Sequence, residues 1–107
     1  MMSTVRSRVL LGAVLGLASV VCFGQTSGEE TYKSRCQSCH GATGMADTAF
    51  GASMKVRPVN DPAVKKMGMI AMVDAVRKGS GKMQGYKDKL SDSETLDVVI
   101  YFRSLSK

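Results

Sequence analysis

The chain has 107 residues, a formal net charge of +6, 6% aromatic residues and no tryptophan. That length suffices for one domain and excludes two, and so modest a positive excess gives no case for nucleic-acid binding. Of its three cysteines, Cys36 and Cys39 stand too close together to act as a disulfide framework.

Arg6 and Arg8 give the chain a positive start, and residues 9–21 follow as an unbroken run of apolar and small side chains. The run is shorter than the ~20 residues needed to cross a bilayer core. Cys22 and Gly24 place small residues three and one positions before a cut ahead of Gln25. The pattern predicts a secretory signal peptide over residues 1–24, export to the periplasm and a mature domain over residues 25–107. The alternatives are an uncleaved anchor and acylation of Cys22, the latter disfavoured by the bulk of Val21. A domain of the remaining size buries little apolar surface and usually needs a staple such as a metal.

Ser27-Gly28-Glu29-Glu30 reads as a capping box with Ser27 as N-cap. It predicts a first helix from about Gly28 to Cys36 or slightly beyond, with Tyr32 as its main apolar contact. Residues 41–60 turn to Gly, Ala, Thr, Ser and Pro without clear periodicity, and read as a long loop that wraps something. Asp61-Pro62 suits the opening of a short helix, and Gly68 interrupts it. Met69, Met72, Val73 and Val76 then recur at helical spacing, with Arg77 and Lys78 in the last turn before Gly79. A second, glycine-rich loop spans residues 79–86. Ser91-Asp92-Ser93-Glu94 is another capping box and opens a last helix to about Leu105. Leu96, Val99 and Ile100 form one apolar stripe on it, and Val98, Tyr101, Phe102 and Leu105 a second. An apolar arc that wide predicts cover on more than one side. There is no strand signal and no repeat, so the fold class is all-α.

Cys36-Gln37-Ser38-Cys39-His40 is the pentapeptide of covalent c-type haem attachment. Two thiols three positions apart can each reach a different vinyl group on one porphyrin edge, and the adjacent imidazole then lies beneath the iron. A thioredoxin-like pair needs a βαβ context that is missing. A structural zinc site needs a fourth ligand, and beyond these three the mature chain has no Cys or His. The expected cofactors are therefore one covalent haem c and its iron, with His40 as proximal ligand.

Because His40 is the single histidine, bis-histidine ligation within one subunit is excluded. Methionine is the strong candidate for the other face of the iron. Met69 and Met72 read as core packing on their helix stripe. Met67 lies at the end of the short helix, and nothing local positions Met45 or Met54. Met83 sits in a glycine-bounded loop that can project a side chain inward, which makes it the expected sixth ligand.

Taken together these segments resemble the small bacterial class I c-type cytochromes, single-haem and His/Met-ligated, over nearly the whole mature chain. Gly28-x-x-x-Tyr32-x-x-x-Cys36 resembles the family's first helix, where glycine permits a close crossing with the last helix and an aromatic packs into it. Residues 99–105 resemble the closing helix, with Tyr101 or Phe102 as the matching aromatic. Gly79-x-Gly81-x-Met83 resembles the stretch presenting the axial methionine. The resemblance implies a cytochrome c-like fold of three to four helices around the haem, and single-electron transfer without enzyme activity. It also implies that a loop proline, here matched by Pro58, accepts the ring N–H of the proximal histidine, although Pro58 reads equally as a loop stiffener. Gln84 departs from the proline that usually follows the ligand methionine.

The implied role is a monomeric periplasmic carrier shuttling electrons between redox proteins: a quinol-oxidising complex, a terminal oxidase or reductase, or a dehydrogenase. Contact with membranes is expected only through such complexes. Lys33, Lys55, Lys82, Lys87 and Lys89 suggest a basic haem-edge surface that attracts acidic partners. A haem sensor with a labile sixth ligand and an electron-relay subunit of a dehydrogenase are the competing readings.

Overall fold

The computed structural model describes residues 27–106. The expected signal peptide, residues 1–24, lies outside the described residues. Among the described residues six helices follow in order: α1 (Gly28–Arg35), α2 (Gln37–His40), α3 (Ala49–Ser53), α4 (Pro62–Lys65), α5 (Met69–Lys78) and α6 (Asp92–Ser104). The three longer ones, α1, α5 and α6, and the short α4 are those predicted. Among the described residues there is no strand, only an isolated bridge between Ser80 and Met83, and no helix long and apolar enough to cross a membrane.

Helices α1, α4 and α6 start where their predicted caps lie. Ser27 Oγ accepts the Glu30 N–H at 3.2 Å, and Glu29 and Glu30 occupy the first turn of α1, where the helix dipole favours negative charge. Only this arm of the first capping box is formed. At α6 both arms are present, with the Glu94 N–H on Ser91 Oγ at 3.1 Å and the Ser91 N–H on Glu94 Oε1 at 3.0 Å. Asp61 Oδ1 caps α4 through Ala63 N–H at 2.8 Å, with Pro62 in the first turn.

The packing is organised by the crossing of α1 and α6. A Cβ on Gly28 would strike the Asp97 carbonyl and press on Tyr101 Cβ, so the two backbones touch there and only glycine fits. Tyr32, 1% exposed, fills the rest of the crossing. Its ring lies 5.2 Å from that of Tyr101 and 6.2 Å from that of Phe102, within the range of favourable aromatic pairs. The two aromatics proposed as alternatives thus both contact Tyr32. The buried core is completed by Met72, Tyr86, Leu90, Val98 and Val99.

Two expectations are corrected. The first stripe of α6 is not covered throughout: Leu96 and Ile100 are 42% and 48% exposed. Cover from α1 and α5 falls instead on Val98 and Val99, which are buried. The stretch 41–60 is also not all loop, because it contains α3. Thr48 caps this helix through Gly51 N–H at 2.9 Å, and the same hydroxyl donates to the Ser38 carbonyl at 2.6 Å. A Cβ on Gly51 would strike the Cys39 carbonyl. The helix is held by its contacts with the Cys39 turn, which leave no trace in local periodicity.

Candidate haem site

Cys36, Cys39 and His40 are gathered by one turn of backbone. Cys36 closes α1 by donating its N–H to the Tyr32 carbonyl, and its own carbonyl receives the N–H groups of Cys39 at 3.2 Å and His40 at 2.9 Å. Positions three and four apart on such a turn share one face, so both thiols and the imidazole point the same way. Gly41, at φ +80°, then breaks the helix.

All three line a single cavity of about 750 Å³, within the usual range for cofactor sites. Its walls include Met72, Val76, Val98, Val99 and Phe102. The Phe102 and His40 rings meet in a T-shaped contact at a centroid distance of 5.2 Å, a contact not anticipated from the sequence. Burial pushes the His40 pKa below the ordinary histidine value and the Cys36 thiol up to about 11. An imidazole in this setting stays neutral, with a lone pair free for a metal.

Met83 lines the same cavity from a segment distant in sequence. Its loop leaves α5 through Gly79, whose φ of +88° L-residues rarely adopt. Ser80 and Met83 then exchange backbone hydrogen bonds of 3.0 and 2.9 Å across Gly81-Lys82, forming a tight turn that fixes the Met83 backbone. Met54, Met67 and Met72 also line the cavity, whereas Met45 does not.

The suggested role of Pro58 toward His40 is not formed. Among the described residues the buried His40 Nδ1 has no hydrogen-bond partner. The Pro58 carbonyl instead accepts the Asp61 N–H at 2.9 Å, closing the turn into α4. Tyr32 and Tyr101 stand as predicted in the helix crossing. The sequence reading missed Tyr86, whose buried ring lines the cavity and whose hydroxyl donates to the Arg35 carbonyl at 3.2 Å.

Where the cavity meets solvent its lining carries Arg35, Lys55, Arg57 and Lys82, all exposed, and no acidic side chain among the described residues. Of the lysines named from sequence, Lys55 and Lys82 are therefore at the opening. Lys33 pairs with Glu29 at 2.9 Å, and Lys89 donates to Gln84 Oε1 at 3.1 Å.

Two thiols, a neutral imidazole and a thioether on one apolar cavity form a donor set that fits haem c. The family described as "Cytochrome C oxidase, cbb3-type, subunit III" matches residues 24–102. The chain belongs to this cytochrome family. Cytochrome c6 of Synechocystis sp. is 27% identical over 94 residues, which cover 87% of this chain and 76% of that protein. The solved KustC0563 c-type cytochrome aligns with a TM-score of 0.70 at 25% identity, covering 77% of this chain and 100% of that one. Cytochrome c6C from Synechococcus sp. PCC 7002 gives a TM-score of 0.56 at 27% identity, over 74% and 93% of the two chains. The cytochrome therefore has the cytochrome c fold, binds haem c covalently with its iron, and belongs among proteins that transfer electrons to and from redox partners.

Proposed function

We propose that this cytochrome is an exported carrier that moves single electrons between respiratory redox proteins, with the haem on Cys36 and Cys39 and its iron between His40 and Met83. The observation that supports it is the convergence of Met83 with the Cys36–His40 turn on one apolar cavity. When bound, the haem supplies a one-electron ferrous–ferric couple, which a thioether ligand shifts toward higher potential.

The protein's own groups prepare this chemistry. Burial keeps His40 neutral and available to a metal at neutral pH. The Phe102 ring packs against the imidazole in a T-shaped contact, which limits the room the imidazole has to turn. Val76, Val98, Val99 and Met72 give the cavity an apolar wall, and burial of a haem against such a wall limits the rearrangement accompanying each transfer. Arg35, Lys55, Arg57 and Lys82 put positive charge where a partner must approach, steering acidic surfaces toward the opening. The family's description as an oxidase subunit supports a terminal oxidase as acceptor, and a quinol-oxidising complex is the matching donor.

Optical spectra of the matured protein in both oxidation states test this reading. Covalent haem and a sulfur-to-ferric-iron charge-transfer band are expected, and Met83→Ala is expected to abolish the band while leaving the haem attached. A band that survives moves the ligand to Met54, Met67 or Met72. Prompt carbon monoxide binding to the reduced protein would indicate a sensor in place of a closed carrier.

A further inference from the structure

Gln84 follows Met83 where a residue of fixed φ would stiffen the backbone, so the stiffness of this loop must come from elsewhere. We propose that the Tyr86 hydroxyl is the positioning group that holds Met83 toward the haem iron, a proposal that rests on reading Met83 as the distal ligand. The Tyr86 ring is 8% exposed and belongs to the buried core. Its hydroxyl donates to the Arg35 carbonyl at 3.2 Å. That carbonyl belongs to the last residue of α1, one position before Cys36, in the turn where helix carbonyls lack intrahelical partners.

The same hydroxyl oxygen accepts from Gln84 Nε2 at 3.2 Å. Gln84 Oε1 in turn accepts from Lys89 Nζ at 3.1 Å, and the Lys89 ammonium lies 5.8 Å from the Tyr86 ring centroid. The side chain next to Met83 is thus held from both ends of its amide. On the other side, the N–H groups of Tyr86 and Lys87 donate to the Val76 and Arg77 carbonyls at 2.8 and 3.1 Å. The backbone bonds fasten the loop to α5. The hydroxyl fastens it to the end of α1, and through Cys36 to the turn that carries His40. It therefore helps set the separation between the two iron ligands.

Thioether favours ferrous over ferric haem, so the ferric protein is where a loosened Met83 yields first to an added ligand. The test is an imidazole titration of the ferric, haem-loaded full chain, following loss of the sulfur-to-iron band in wild type, Tyr86→Phe and Gln84→Ala. Tyr86→Phe keeps the ring in the core, and loss of its hydrogen bonds is expected to lower the imidazole Kd about fivefold. Gln84→Ala is expected to lower it about twofold. A purely structural role for Tyr86 would lower the thermal midpoint of the variant without changing imidazole competition. Unchanged Kd values in both variants, with the band present in wild type and lost in Met83→Ala, overturn the positioning role and leave the ligand assignment standing. A band absent from wild type, or persisting in Met83→Ala, overturns both. If Tyr86→Phe does not load haem, the exposed Gln84→Ala variant decides the matter by the same Kd.

Discussion

The Tyr32 hydroxyl donates to the Gly41 carbonyl at 2.6 Å, a buried bond that spans the whole Cys36–His40 segment. It ties the residue that packs the α1–α6 crossing to the residue that ends the haem-bearing turn. Burial raises the Tyr32 pKa above the ordinary tyrosine value, so the phenol remains a donor throughout the working pH range. Tyr32→Phe keeps the ring packing and leaves a buried carbonyl without its donor. A loss of about 1–3 kcal/mol is expected, read from guanidinium unfolding of the haem-loaded protein. A variant as stable as wild type would show that the carbonyl finds water instead.

Gly28→Ala tests the crossing itself. Its new Cβ meets the Asp97 backbone carbonyl, which cannot rotate away as a side-chain tip can. The helices must separate, loosening Tyr32 against Tyr101 and Phe102. Overpacking of this kind typically costs about 1–3 kcal/mol, and the same unfolding measurement checks it. The absorption spectrum of the attached haem is expected to be preserved.

The parts of this molecule that were legible in sequence are those encoded by neighbours in the chain. Ser91 and Glu94 announce the start of α6, Asp61-Pro62 opens α4, and the Cys36–His40 spacing places both thiols and the imidazole on one turn. The place of Met83 on the cavity wall was legible because the glycines around it mark a loop that can turn inward. What escaped is set by contacts between segments. Nothing in the run around Ala49–Ser53 has a helical period, and α3 exists because Thr48 bonds to Ser38 and Gly51 fits under the Cys39 carbonyl. The roles of Phe102 beside His40 and of Tyr86 beside Arg35 likewise arise only once α6 and the Met83 loop are in place. The exposure of Leu96 and Ile100 had no local sign either, since apolar periodicity reports a preference for cover and not which elements supply it.

The α6 cap predicts an acid-sensitive step. The Ser91 backbone N–H and then its hydroxyl hold the Glu94 carboxyl below the usual carboxylate pKa. A group depressed on folding contributes stability that is complete above its unfolded pKa of about 4.3 and is lost as pH falls through the lower folded value. The stability gap between wild type and Glu94→Ala is therefore expected to be constant from about pH 7 to 5.5 and to narrow below about pH 4. Urea unfolding at a series of pH values measures it. A gap that widens in acid would contradict the capping account.

Lys55 combines local strain with a cation at the cavity opening. It follows the end of α3 at φ +54°, the left-handed region that favours glycine. Its N–H donates to the Ala52 carbonyl at 3.2 Å and the Val56 N–H to the Gly51 carbonyl at 2.9 Å, the paired bonds of a helix terminus that normally carries glycine in this place. A lysine is held there at a local cost, and its exposed side chain lines the opening together with Arg35, Arg57 and Lys82. Lys55→Gly relieves the strain and removes the charge, so its two consequences run in opposite directions. Stability is expected to rise by about 1 kcal/mol, measured by guanidinium unfolding. Electron exchange with an acidic redox protein is expected to slow at low ionic strength and to match wild type once salt shortens the Debye length to a few ångströms. Stopped-flow rates across an ionic-strength series decide the second part. Equal rates for the two proteins at every salt concentration would mean that the Lys55 charge does no steering, and that the strained terminus has no functional return.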